Sequence, residues 1–341
     1  MLTPKQLSSG NWNVVVYAGK DASGKRKYKS FTDTTERKVL MAAMTWQEHY
    51  KAIARDSSGM TVEEGITAYI EARRHLLSPS TIVGYKNVKA NHLTGMINSS
   101  LSAITQKAIN QEVKAECEKY SAKTVKNVFG LLSAILKEYR PDFVYSLNLP
   151  EVYPKISMPP LDDDLTALCK AAYGTDVEIP LLLAAWLGLR RSEIAGLRWS
   201  KITDDYIIID TAIVRGENGD VEKKTKSKAG TRVLPLPEYI KARMDATPRD
   251  GEFVTKLSGN AINKAFVRVC KVAGVGRFRF HSLRHTNATI MMDENIPDKY
   301  IAERGGWGSD IYKTVYQHTT ASKSNSISKA IDKRFNSLLQ K

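Results

Sequence analysis

The sequence predicts a multidomain α+β protein: a small N-terminal β-sheet plus helix, then a helical bundle, then a mainly α C-terminal domain with a small antiparallel sheet. Three observations carry this. Residues 11–32, "NWNVVVYAGKDASGKRKYKSFT", alternate with the two-residue period of strands on either side of a turn. Apolar residues recur at helical spacing through 60–140, and beyond a proline-rich stretch 161–341 mixes helical patterns with short strand patterns. A chain of 341 residues accommodates two domains and a small third one.

In order along the chain, Trp12, Val14 and Val16 alternate with Asn13, Val15 and Tyr17, "KDASGK" supplies a turn, and "KRKYKSF" reads as a second, basic strand. A helix is expected over 35–56, with Leu40, Ala43 and Met44 on one face. Residues 1–58 form the first expected domain and hold ten Lys and Arg against five Asp and Glu. A basic ribbon of this size, carrying Lys25, Arg26, Lys27 and Lys29, fits a DNA major groove, which admits two strands.

After "DSSGM", Thr61 and Glu64 have capping-box spacing and open a helix to about Leu77. Further helices are expected over 79–93, 102–120 and 121–139. The last carries Val125, Val128, Leu131, Leu132, Ile135 and Leu136 along one side. Residues 59–140 therefore read as a bundle. Residues 141–160 belong to a stretch with five of the twelve prolines and read as an extended linker. In 161–341, "YIIIDTAIV" and "TRVLPL" read as strands of one short sheet, with "RGENGD" as a turn between them.

Composition narrows the function. Hydrophobic residues make up 42% and charged residues 26%, as in folded soluble domains. The longest apolar run, "IPLLLAAWLGL", falls short of the ~20 residues of a membrane span, and "MLTPKQLSSG" has no apolar core, so no membrane association, no secretory signal and a cytoplasmic location are expected. Cys117, Cys169 and Cys270 are odd in number and far apart, which argues against disulfides and a metal knuckle. The net charge of +15 favours a polyanionic partner.

"FHSLRHTNAT" (280–289) carries His281 and His285 four apart, the spacing of a zinc helix. A zinc hydrolase helix needs a glutamate beside the first histidine and a third ligand; here the neighbour is Ser282, and Arg284 would repel a dication. Arg284 points instead to an anion: its planar fork matches phosphate oxygens, and His281, three residues earlier, can donate a hydrogen bond or move a proton. "GLRRSEIAGLRWS" sets Arg190 two residues after a glycine with Glu193 three further on. "TKSKAGTRVLPL" places Lys226 on a basic turn, and "GGWGSDIYKTVYQHT" offers Trp307, Tyr312, Tyr316 and His318.

Together these four segments, in this order and with Trp307 and Tyr316 nine apart, resemble the tyrosine recombinase family, and within it the phage and transposon integrases. The resemblance covers nearly the whole chain: 1–58 resembles an arm-type DNA-binding domain, 59–140 a helical core-binding domain and 161–341 the catalytic domain. It implies that Arg190 and Arg284 clamp the phosphate, Lys226 is the strand-turn lysine, His281 opens the H-x-x-R box, Trp307 takes the histidine-or-tryptophan position and Tyr316 is the nucleophile. Glu193 would support the first arginine, and His285 would be structural. Lys201 departs from a common aspartate and Gly305 from a common leucine, and Lys224 and Lys228 remain rivals of Lys226.

The chemistry accounts for the residue types. Charge growing on the non-bridging phosphate oxygens needs neutralising, which two bidentate arginines do better than lysines. A phenol of pKa ~10 is almost wholly protonated near neutrality and needs a base or a positive pocket. Lys226 is the candidate acid for the leaving 5′ oxygen, and Trp307 can donate its indole N–H. No metal or other cofactor is required. The expected activity is site-specific integration or recombination for a mobile element through a 3′-phosphotyrosine. The alternatives are a type IB topoisomerase-like relaxing enzyme and a non-catalytic DNA-binding regulator on the same fold. The expected partners are double-stranded DNA at attachment sites, three further copies in a synaptic homotetramer, and an excisionase or a DNA-bending host protein. Ile327, Ile331, Phe335, Leu338 and Leu339 near the C-terminus would share one helix face, a stripe that packs on its own catalytic domain or, as the resemblance implies, docks into a neighbouring copy.

Overall fold

The computed structural model describes residues 2–20, 26–56, 59–141, 143–153, 159–160, 162–224 and 230–307. The chain divides into two compact units, 1–155 and 156–341.

In the first unit, β1 (Lys5–Gln6), β2 (Trp12–Lys20) and β3 (Arg26–Asp33) form an antiparallel sheet in that order. The two-residue β1 is too short for its periodicity to be legible in the sequence. Val14 lies opposite Phe31 and Val16 opposite Lys29, and this face packs on α1 (Glu36–Asp56), burying Val14, Val16, Val39 and Ala43. The stripe differs from the expected one: Val39 and Ala43 are buried, Leu40 is half-buried and Met44 is exposed. The sheet decides this, because Phe31 takes Trp46 at 5.8 Å between rings and draws the 39–43–46 line inward.

The helices that follow are α2 (Val62–Arg73), α3 (Pro79–Asn91), α4 (Gln106–Lys119) and α5 (Ala122–Tyr139). Thr61 and Glu64 form the expected capping box: the Thr61 hydroxyl accepts from the Glu64 N–H at 3.2 Å, and the Glu64 carboxylate accepts from the Thr61 N–H at 2.8 Å. Helix α2 stops at Arg73, short of Leu77. In α5 the six expected apolar residues and Phe129 are all buried. Part of the expected linker packs on this core: Phe143, Tyr145, Leu147 and Leu149, two apart in extended chain, turn to the bundle.

The second unit contains α6 (Asp162–Ala172), α7 (Glu178–Leu187), α8 (Arg191–Ala195), α9 (Glu238–Asp245), α10 (Gly259–Val272), α11 (Ser282–Asp293) and α12 (Asp298–Gly305). Its core includes Leu181, Leu183, Leu187, Ile194, Phe266, Phe280 and Leu283. "YIIIDTAIV" is two strands, not one: β4 (Tyr206–Ile209) and β5 (Thr211–Gly216) part at Asp210. Strand β5 pairs with β6 (Gly219–Lys224), and β4 pairs with β7 (Arg232–Pro235), giving two antiparallel pairs in place of one sheet. The exposed, polar β6 has no apolar period to reveal it. At the break, Asp210 accepts from Lys201 at 2.5 Å and from the Thr211 hydroxyl at 2.5 Å, so Lys201 has an acid to meet. No helix among the described residues is long and apolar enough to cross a membrane.

Candidate active site

Helix α7 ends at Gly188, which is left-handed (φ 67°). A β-carbon there would also meet the Asn287 side-chain oxygen at 2.8 Å, so the turn requires glycine twice over. The turn leaves Arg190 extended in front of α8. Its backbone N–H donates to Glu193 Oε2 at 2.9 Å, its Nη1 to Glu193 Oε1 at 2.7 Å and its Nη2 to the Gly306 carbonyl at 2.7 Å.

Arg232 closes the other side of Glu193. Its Nη2 donates to Glu193 Oε2 at 2.9 Å, its Nη1 to Oε1 at 3.3 Å and its Nε to the Arg304 carbonyl at 2.9 Å. Glu193 is only 3% exposed and Arg232 8%. Burial pushes the Glu193 carboxyl up, but Arg232 and Arg190 outweigh it and hold it below the usual carboxylate range. Losing one partner of such a pair strands a buried charge, at a cost of about 3–5 kcal/mol. Sequence reasoning missed Arg232, although a signal existed: it shares a strand face with buried Leu234, so a cation sits on the apolar phase of "TRVLPL".

Arg284, in the first turn of α11, is 1% exposed. Its Nη1 donates to the Gly188 carbonyl, and its guanidinium carbon lies 4.1 Å from the centroid of the Trp307 ring. Trp307 follows α12 and left-handed Gly306 (φ 63°). A β-carbon at Gly305 would fall 2.1 Å from the Trp307 ring, so the ring in this position requires glycine there.

His281 stands immediately before α11, makes no side-chain capping bond and reaches solvent. Partial burial, then the charges of Arg284, Arg190 and Arg191, hold its imidazole below 6.5. His285, whose ring meets that of His281 edge-on at 5.0 Å, is lowered to about 4 by burial, His281 and Arg284. Both are neutral near pH 7, so His281 can accept a proton there. Among the described residues no group of three His, Cys, Asp or Glu is arranged to hold a metal ion.

Beside these groups runs an open groove of about 910 Å³, walled by Arg190, Arg191, Arg277, Arg279 and His281. A larger cavity of about 1130 Å³ is mainly apolar, bordered by Ile290, Met291, Ile296 and Tyr300, and touches Arg232 and Trp307. The cationic groove is the one suited to a polyanion.

The structure thus brings Arg190, Glu193, His281, Arg284 and Trp307 together from three separate stretches. Lys226, its rival Lys228, Tyr316 and its alternative Tyr312 lie outside the described residues, as do His318 and the C-terminal stripe. Lys224 is exposed at the end of β6. In the N-terminal sheet, Lys25 and the side chain of Lys27 are outside the described residues, and Arg26 is exposed. Lys29 lies on the α1 side, its ammonium 5.1 Å from the Trp46 ring. The opposite, open face carries Asn13, Val15, Tyr17, Tyr28 and Ser30, with Asn13 Nδ2 donating to Ser30 Oγ at 2.6 Å.

Residues 163–323 match the phage integrase family. The chain is 24% identical to a XerC-like tyrosine recombinase of Caldanaerobacter subterraneus, over 90% of this chain and 92% of that protein. Its fold is similar to that of the Tn1549 transposon integrase in complex with transposon right end DNA: TM-score 0.62, 17% identity, 80% of this chain and 100% of that one. It is also similar to a lambda integrase tetramer bound to a Holliday junction: TM-score 0.57, 18% identity, 90% and 96% of the two chains. Fold and relatives define a DNA strand-transfer enzyme. With a phage integrase domain over 163–323, the protein is a site-specific DNA recombinase similar to tyrosine recombinases of the integrase type.

Proposed function

We propose that this recombinase cuts and rejoins DNA through a 3′-phosphotyrosine on Tyr316, acting on the attachment sites of a mobile element. One observation carries the reading: Arg190 and Arg284, ninety-four positions apart, are held in one site. Arg190 is bonded to the carbonyl that precedes Trp307, and Arg284 lies under the Trp307 ring and bonds the carbonyl two residues before Arg190.

Arg190 and Arg284 neutralise the scissile phosphate, and the neutral His281 takes or shares the phenolic proton as Tyr316 attacks phosphorus. The 5′ oxygen leaves with a proton from Lys226. The phosphotyrosine keeps the phosphodiester bond energy, so a 5′ hydroxyl of another strand reverses the step without ATP. Trp307 holds Arg284 in place and offers its indole N–H to a phosphate oxygen. The groove of Arg191, Arg277 and Arg279 follows the neighbouring backbone.

Residues 1–58 bind additional arm-type sites and 59–140 the core site. The relative crystallised as a tetramer on a Holliday junction supports a synaptic tetramer here, and the DNA substrate implies a cytoplasmic site of action. Recombination on the full site would then involve an excisionase or a DNA-bending host protein.

The test is covalent trapping on a nicked suicide duplex. Wild type and Tyr312→Phe should form the adduct; Tyr316→Phe should form none while binding DNA normally. Adduct loss in Tyr312→Phe alone would move the nucleophile.

A further inference from the structure

Glu193 and its two arginines belong to a closed circuit. Arg190 Nη1 reaches Glu193 Oε1, Arg232 Nη2 reaches Glu193 Oε2, Arg232 Nε reaches the Arg304 carbonyl, and Arg190 Nη2 reaches the Gly306 carbonyl two residues on. The circuit joins three chain segments: the start of α8, the start of β7 and the end of α12. Arg232 also donates to the Gly230 carbonyl at 3.4 Å, directly after the segment 225–229 that holds Lys226. Trp307 is the next residue after Gly306.

We propose that Arg232 is a positioning residue of the recombinase: through Glu193 it orients the guanidinium of Arg190, and through the Arg304 carbonyl it registers the approach to Trp307. Three features of the geometry call for an arginine there. The Glu193 carboxylate is buried, so it keeps a defined position only between fixed cations. Arg190, by contrast, is 36% exposed along its side chain. Without an anchored carboxylate its long side chain would sample many rotamers and meet a phosphate in few of them. Finally, Arg232 uses its Nε and both terminal nitrogens toward Glu193, the Arg304 carbonyl and the Gly230 carbonyl of its own segment. A lysine has one nitrogen and cannot span them. Arg232 commits its Nε and both terminal nitrogens to protein acceptors, as expected of a group that shapes the site from behind rather than touching DNA.

The proposal rests on the reading of Arg190 as a phosphate clamp, and the experiment separates the two. Adduct formation on the nicked duplex is timed for wild type, Arg190→Lys, Arg232→Lys and the double variant, alongside DNA affinity and circular dichroism. Each rate is repeated with an uncharged methylphosphonate at the scissile position. Arg232→Lys should bind DNA within about twofold of wild type and form adduct at least about tenfold more slowly. Adding it to Arg190→Lys should cost at most about a further twofold, since both changes act on one group. The methylphosphonate, which has no charge to neutralise, should narrow the gap to wild type; a general folding defect would leave it unchanged.

Slow Arg190→Lys with fast Arg232→Lys overturns the role of Arg232 alone, as do additive losses or an unchanged gap on the methylphosphonate. Fast Arg190→Lys overturns the reading of Arg190 and the inference with it. If Arg232→Lys misfolds, Glu193→Gln combined with Arg232→Met removes both buried charges. That protein should fold and still form adduct slowly, and wild-type speed from it would refute the proposal.

Discussion

The Trp307 ring covers the Arg284 guanidinium at 4.1 Å, so the most buried arginine of the site is roofed by an aromatic side chain that itself reaches solvent. Two substitutions divide its roles. Trp307→Phe keeps a ring over Arg284 and loses the indole N–H; Trp307→Ala loses both. Adduct formation should fall about tenfold in the first and about a hundredfold in the second, with DNA affinity little changed. The lost cation–π contact should cost about 0.5–2 kcal/mol of stability in the alanine variant, read from denaturant unfolding. Wild-type cleavage by Trp307→Ala would remove this residue from the mechanism.

The histidine pair makes stability pH-dependent. The folded pKa of His285 is lowered to about 4, against an ordinary value near 6.5, so below 6.5 the unfolded chain binds the proton first. Its contribution is fully present above pH 6.5 and is lost as pH falls from 6.5 towards 4. His281 acts in the same direction. The melting temperature should drop over this window, and less steeply in His285→Gln. Parallel profiles for the two proteins would contradict it.

Cleavage should persist in EDTA, because the cations proposed to surround the phosphate are side chains. Adduct formation that stops on chelation and returns with magnesium or zinc would reinstate a metal-dependent mechanism.

Removing residues 1–58 should spare adduct formation at a core site and abolish integration that depends on arm-type sites. Binding by the full chain should weaken steeply with salt, since each phosphate contact releases counterions, and the truncation should have the shallower slope. Full integration by the truncated protein on its natural site would refute the arm-binding role.

Deleting 326–341 removes Ile327, Ile331, Phe335, Leu338 and Leu339. The spacing of these five predicts a short amphipathic helix, which is marginal alone and would need its stripe buried against protein. The truncation should fold and bind DNA but cleave poorly and assemble no tetramer on sedimentation with synapsed DNA. Normal assembly would exclude docking between copies; an insoluble product would indicate packing within one chain.

Short-range pattern in the chain encodes the local features. The α5 stripe, the Thr61–Glu64 capping box and the basic hairpin are matters of spacing within one or two helical turns or one strand pair, and the boxes around Arg190, His281, Arg284 and Trp307 are legible as an order along the chain. Tertiary structure decided the rest. The face of α1 turned to bury Val39 in place of Met44 because a strand residue, Phe31, claims Trp46. "YIIIDTAIV" divided at Asp210 because each half found its own partner strand. Arg232 became a fixture of the site because burial makes the Glu193 carboxylate depend on a second cation, thirty-nine residues away. Desolvation penalises an unpaired charge wherever its partner lies in the chain, and only the folded backbone brings that partner near.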